Sequence, residues 1–178
     1  MIEFRDHGRV LEKLRERLIG DPFWARYLEF QARQSPKVSV HIAVCIEPFL
    51  QSMLVGAKNL ESRFSMNRCA PYNKVEAGDI ILLKASGGPI VGVCRAGLTE
   101  FQQLDSDSIE EIRTQHSKAL CANEDQFWDH KKQAKYCSLI ALEHTRPVQP
   151  IPFVKRDRRG WVVYWQRENS TEETCLFD

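Results

Sequence analysis

In GRVLEKLRERLIG, residues 8–20, the apolar side chains Val10, Leu11, Leu14, Leu18 and Ile19 recur at helical spacing on one face, and Gly20 is suited to ending the helix. Asp21-Pro22 then offers an N-cap followed by a proline at the first helical position, opening a second, aromatic-rich helix, FWARYLEFQARQ, which Ser35-Pro36 ends. Two helices this short cannot bury Phe23, Trp24, Tyr27, Leu28 and Phe30 between themselves, so the pair must pack on the rest of the chain or on a second subunit. From residue 38 the period changes from helical to twofold. VSVHIAV alternates and is β-branched, which predicts a strand whose polar face includes Ser39 and His41. IEPFLQSMLVG predicts a short helix closed by Gly56, and Asn59–Phe64 a strand followed by a loop through Asn67–Lys74. GDIILLKA and GPIVGVCRAGLTEF read as strands joined by the turn Ser86-Gly87-Gly88. Residues 105–130 read as helical, capped by Ser106 or Asp107, with Ile109, Ile112 and Leu120 turned inward; AKYCSLIALEHT and RRGWVVYWQ are the last strands.

Five or six strands with a helix between the first two, and helices before the last pair, suggest a small mixed α+β barrel. The glycine-rich βα turns of a doubly wound sheet do not occur. The predicted organisation is a helical extension over 1–37, a barrel domain over 38–167, and a polar, acidic tail over 168–178.

The 178 residues, with 43% hydrophobic and 28% charged side chains, exclude disordered, collagenous and coiled-coil classes. No window approaches the roughly 18 consecutive apolar residues of a membrane span, and the N-terminus is too charged for a signal peptide, so no membrane partner and a cytoplasmic location are expected. Six cysteines without a CxxC pair fit reduced thiols better than a disulfide framework, and the histidines and cysteines lack metal-ligand spacing, so neither metal nor cofactor is expected.

The net charge of +1 conceals a segregation. Residues 99–130 carry eight acids and two bases, whereas 131–160 carry eight bases and two acids. Separate acidic and basic surfaces let a chain of low net charge bind a polyanion; the rival reading is that the two neutralise one another across the fold. In the basic segment, Lys155, Arg156, Arg158 and Arg159 are flanked by Phe153 and Trp161, with Lys131, Lys132 and Lys135 shortly before. Cations beside aromatics suit a strand of unpaired nucleotides; the alternative is a solvated hairpin in which Trp161, Val163 and Trp165 share an inward face. The densest polar cluster is Lys58-Asn59-Leu60-Glu61-Ser62-Arg63. On an extended strand Asn59, Glu61 and Arg63 share one face, with Lys58 at the preceding turn. Arg63 offers a planar fork to phosphate or carboxylate, Glu61 can orient it, and Lys58 supplies a compact cation; a rim ion-pair network is the structural alternative.

The segment Gly56-x-Lys58-x-x-Glu61-x-Arg63, followed by Ala77-Gly78-Asp79-Ile80 and a strand pair, resembles the signature of ASCH domains, the activating-signal-cointegrator homology group of the PUA-like β-barrels. The likeness spans about Val38 to Gln166, including Phe127-Trp128 and Arg159-Gly160-Trp161, and leaves residues 1–37 outside it. It implies a PUA-like barrel with helical insertions, to which the N-terminal helical pair is an addition, and a cleft floored by Lys58, Glu61 and Arg63 that receives RNA, single-stranded nucleic acid or a modified nucleoside. Some family members are similar to amidohydrolases of N4-acetylcytidine that use the motif lysine, a threonine and a glutamate; Glu61 stands here at the threonine position, and Glu110, Glu111 and Glu124 are candidates for the glutamate. Others cleave single-stranded RNA. The expected binding residues are therefore Lys58, Asn59, Arg63, Lys131, Lys132, Lys135, Lys155, Arg156, Arg158 and Arg159. In a hydrolytic site Lys58 would act as base or electrostatic stabiliser, Glu61 as proton carrier and Arg63 as clamp. A homodimer or partner surface on the N-terminal helices is the competing interaction role.

Overall fold

The structure, a computed structural model, describes residues 5–33, 38–155 and 158–167. The helix stop at Ser35-Pro36, Arg156 and the tail 168–178 lie outside the described residues. Helices α1 (Arg5–Arg17) and α2 (Pro22–Arg33) precede β1 (Val40–Cys45), α3 (Phe49–Leu54), β2 (Leu60–Ser65), β3 (Ile80–Ala85) and β4 (Ile90–Gln103). Helices α4 (Ser106–Leu120) and α5 (Asp125–Asp129), then β5 (Tyr136–Ile151) and β6 (Trp161–Trp165), complete the order. The strands form one six-stranded sheet in the order β2-β5-β4-β3-β1-β6. β1 and β3 run parallel, because α3 and β2 intervene between them, and the other neighbours are antiparallel.

The sheet is buried on both faces at its centre, which is why β3 reads IILL rather than alternating. Val40, Ile42, Ile80 and Leu82 pack against Val10, Leu14, Leu18, Trp24 and Leu28 of the helical pair, while Ala43, Cys45, Ile81 and Leu83 face the inside of the curl with Leu50, Met53, Ile140 and Trp161. A third cluster seats α4 and α5 on β5 through Ile109, Ile112, Leu120, Trp128, Cys137 and Leu139. The helical pair thus buries Trp24 and Leu28 against the sheet, with Phe23 and Tyr27 half-buried and Phe30 exposed. Trp24 also donates its indole N–H to the His144 carbonyl at 2.7 Å.

Two expectations change. The N-cap of α4 is Asp105, just before the predicted Ser106 or Asp107, because its carboxylate accepts from the Ser108 N–H and the Ser108 hydroxyl accepts from the Asp105 N–H, a capping box. The polar face of β1 is interior: Ser39 and His41 are both buried. His41 shares the inward parity of Ala43 and Cys45, and its partner is Asp79, a carboxylate remote in sequence. Asp79 accepts from the Ser39 N–H at 2.7 Å, the Glu76 N–H at 2.8 Å and Arg167 Nη2 at 2.5 Å, and faces His41 Nε2 at 3.0 Å. Trp161 Nε1 lies 3.3 Å from His41 Nδ1. An indole nitrogen only donates, so Nδ1 is the acceptor and Nε2 carries the hydrogen toward Asp79. Asp79→Asn places an amide where four donors converge, and is expected to cost about 2 kcal/mol, read as a fall in melting temperature of about 4–8 °C.

Candidate nucleic-acid interface

Lys58 follows the turn that ends α3, and its ammonium enters the interior between β2 and the C-terminal end of α4. It donates to the carbonyls of Leu60 at 2.6 Å and Leu120 at 3.2 Å, and meets Glu61 Oε2 at 3.4 Å. Three acceptors thus engage its three hydrogens. The Leu120 carbonyl is one of those a helix end leaves without an intrahelical partner, and the negative end of the helix dipole favours a cation there. The Phe49 ring lies under Lys58 Nζ, 5.6 Å from its centroid.

The other oxygen of Glu61 forms an ion pair with Arg63, 2.7 Å from its Nε. Glu61 is buried, so one carboxylate ties two cations together inside the fold. Arg63 extends further. Its terminal nitrogens donate to the carbonyls of Gly160 at 3.2 Å and Val44 at 3.1 Å, and its guanidinium lies 5.3 Å from the centre of the Trp161 ring. Strand β2 is one edge of the sheet, whereas Val44 lies in β1 and Gly160 immediately before β6 at the other. Arg63 therefore bridges the two ends of the curled sheet. A Cβ at position 160 would come within 3.1 Å of Arg63 Nη1, so glycine there gives the arginine its approach.

Lys131, just past α5, adds the fourth cation. Its ammonium lies 4.9 Å from the centre of the Phe127 ring and 5.8 Å from that of Phe64. It is half-buried and makes no ion pair with a carboxylate among the described residues. Burial, followed by the positive charge of Arg63 nearby, pushes its pKa below the ordinary lysine value. Cys45 Sγ lies 3.9 Å from Arg63 Nη2, but burial pushes this thiol up to about 12, which removes it as a nucleophile.

The expected site residues separate into three groups. Lys58, Glu61, Arg63 and Lys131 converge. Arg158 and Arg159 are exposed and lead directly into Gly160, so this basic segment reaches the same Arg63 by the main chain, with half-buried Lys155 further back. Asn59 and Lys135 are exposed, and Lys132 is exposed and pairs with Asp129 at 2.7 Å. Glu110, Glu111 and Glu124 are also exposed, and among the described residues the only carboxylate that Lys58 meets is Glu61. The aromatic walls were missed in the sequence, although Phe127 and Lys131 stand at the four-residue spacing that brings helix side chains together.

A curled mixed sheet with helices packed on it forms a half-barrel whose fold is ASCH-like. The crystal structure of ASCH from Zymomonas mobilis aligns with 64% of this chain and 73% of its own at 13% identity and a TM-score of 0.52. Its serine-to-alanine and tyrosine-to-phenylalanine variants each align at 12% identity, with TM-scores of 0.52 and 0.50. No family model matches the sequence, and no curated protein matches it. At such identity the likeness is one of fold. No helix among the described residues is long and apolar enough to cross a membrane.

Proposed function

We propose that this domain binds single-stranded RNA, with the phosphate backbone crossing the rim marked by Arg63, Lys131 and the Arg158-Arg159 segment. The observation that carries the reading is Lys131: a cation kept half out of water on two phenyl faces, beside Arg63 and without a carboxylate of its own. A site whose charge is left unneutralised within the fold gains from an anion supplied from outside. Glu61 and Lys58 serve that rim from beneath by fixing the fork of Arg63, while Phe49, Phe64 and Phe127 offer partly exposed ring surface on which a base can stack.

Binding is favoured over hydrolysis by the state of Lys58. Its hydrogens are engaged by two carbonyls and Glu61, which suits holding the network together better than shuttling a proton. The amidohydrolase reading lacks support here for a second reason, since no further carboxylate meets Lys58 among the described residues.

The test is a salt series. Affinity for a labelled single-stranded RNA should fall steeply between 50 and 200 mM salt, with a log–log slope near −2 to −3 if three or four phosphates are neutralised (about −0.7 per phosphate). A flat salt response, or release of acetate from a neutral acetylated nucleoside, would replace this reading with the amidohydrolase.

A further inference from the structure

The described hollows lie on the N-terminal helical pair, away from the basic rim. One, of about 320 Å3, is lined by Pro22, Phe23, Arg26, Tyr27 and Phe30. Helix α2 places Phe23, Tyr27 and Phe30 at spacings of four and three residues along one flank, while Trp24 and Leu28 take the buried stripe. Phe23 stacks on the His144 imidazole at 3.6 Å with planes 7° apart, and on Tyr27 at 5.3 Å and 15°. Three rings therefore form a near-parallel column. Both flanking members are held from outside the helix: the Tyr27 hydroxyl donates to the Gly78 carbonyl at 2.5 Å, and His144 sits in β5 with a left-handed φ of 50°. Only a few non-glycine residues adopt that conformation, and here it accompanies the ring stack on Phe23. Phe30 is half exposed, and Arg26 is exposed with no carboxylate partner among the described residues.

Resting on the reading of the chain as an RNA-binding domain, we infer that this hollow is a second nucleotide subsite, with a base stacked on the ring column beside Phe30 and its phosphate on Arg26. Flat rings already fixed in parallel lose little freedom when another ring joins them, which is the economy of a stacking platform. Charge favours this occupant over a second copy of the chain. Between Arg9 and Arg33 the helices carry six bases and four acids, so a polyanion is drawn to them and a like surface is repelled.

The experiment uses the full chain, adenosine 5′-monophosphate and a twelve-nucleotide oligoadenylate. With the native chain and with Lys131→Met, the adenine ring protons should shift upfield on adding the mononucleotide; with Phe30→Ala they should not. Phe30→Ala should weaken the twelve-mer about tenfold at an unchanged salt slope, and Arg26→Ala should reduce the slope by about 0.7. If both variants bind the twelve-mer as the native chain does while Lys131→Met still weakens it, the subsite is overturned and the basic rim stands. If Lys131→Met has no effect while Phe30→Ala does, the rim falls and the subsite stands. A change of oligomeric state in Phe30→Ala, seen by light scattering, would make the hollow a contact between copies and overturn the inference.

Discussion

Replacing Glu61 by alanine is expected to lower the melting temperature by roughly 10 °C. The carboxylate faces Lys58 at 3.4 Å and Arg63 at 2.7 Å, with all three side chains largely removed from water. Removing it leaves Lys58 buried with carbonyls alone and frees the fork that spans the two ends of the sheet. Stripping one partner from a buried charge network costs about 3–5 kcal/mol, because the remaining charges stay desolvated without compensation. The loss need not mean that the network is a net source of stability. Apolar replacement of Lys58 and Glu61 together, as Lys58→Met with Glu61→Leu, should therefore recover a large part of it. Circular-dichroism melts of the single and double variants give the comparison. A melting temperature for Glu61→Ala within 2 °C of the native value would show that the network carries no such burden.

Lys131→Met is expected to do the opposite. RNA affinity should drop about tenfold, or about 1.4 kcal/mol, and the salt slope should shrink by about 0.7, while the melting temperature stays level or rises. Methionine keeps the length that covers Phe64 and Phe127 and can set its sulfur against their rings, and it removes a charge that burial and Arg63 both disfavour. A residue that is unfavourable for the fold and necessary for affinity has the signature of a binding group. Affinity and stability are read on the same preparation by fluorescence anisotropy and thermal melts. Parallel loss of both would assign Lys131 to the architecture.

Much of the architecture was legible because it is written in local periods. The twofold alternation of β1, the unbroken apolar run of β3, the inward triplet Ile109, Ile112 and Leu120, and the glycine-bearing turn between β3 and β4 each express burial within a few residues of themselves. The shared face of Glu61 and Arg63 was legible for the same reason. What eluded the sequence is long-range. His41 looks like a solvent-facing polar position until Asp79 and Trp161, 38 and 120 residues away, are brought to it. That Arg63 donates to the carbonyls of Val44 and Gly160 is not written near it in the sequence, and Lys131 reads as one base among several until two phenyl rings are found beneath it. Charge counts along the chain do not distinguish Lys131 from Lys132, yet the fold half-buries the first on aromatic rings and pairs the second with Asp129.

On the proposed function, the fold holds Lys131 in an environment that disfavours its charge until a phosphate arrives. Following the Lys131 side-chain resonances by NMR through an alkaline titration, with and without a single-stranded RNA, tests it directly. Without RNA the ammonium should lose its proton below the ordinary lysine range, and with RNA the midpoint should move upward, since a phosphate favours the charged form. Affinity should accordingly decline as pH rises through the free midpoint. An ordinary lysine titration, the same in both states, would contradict the account.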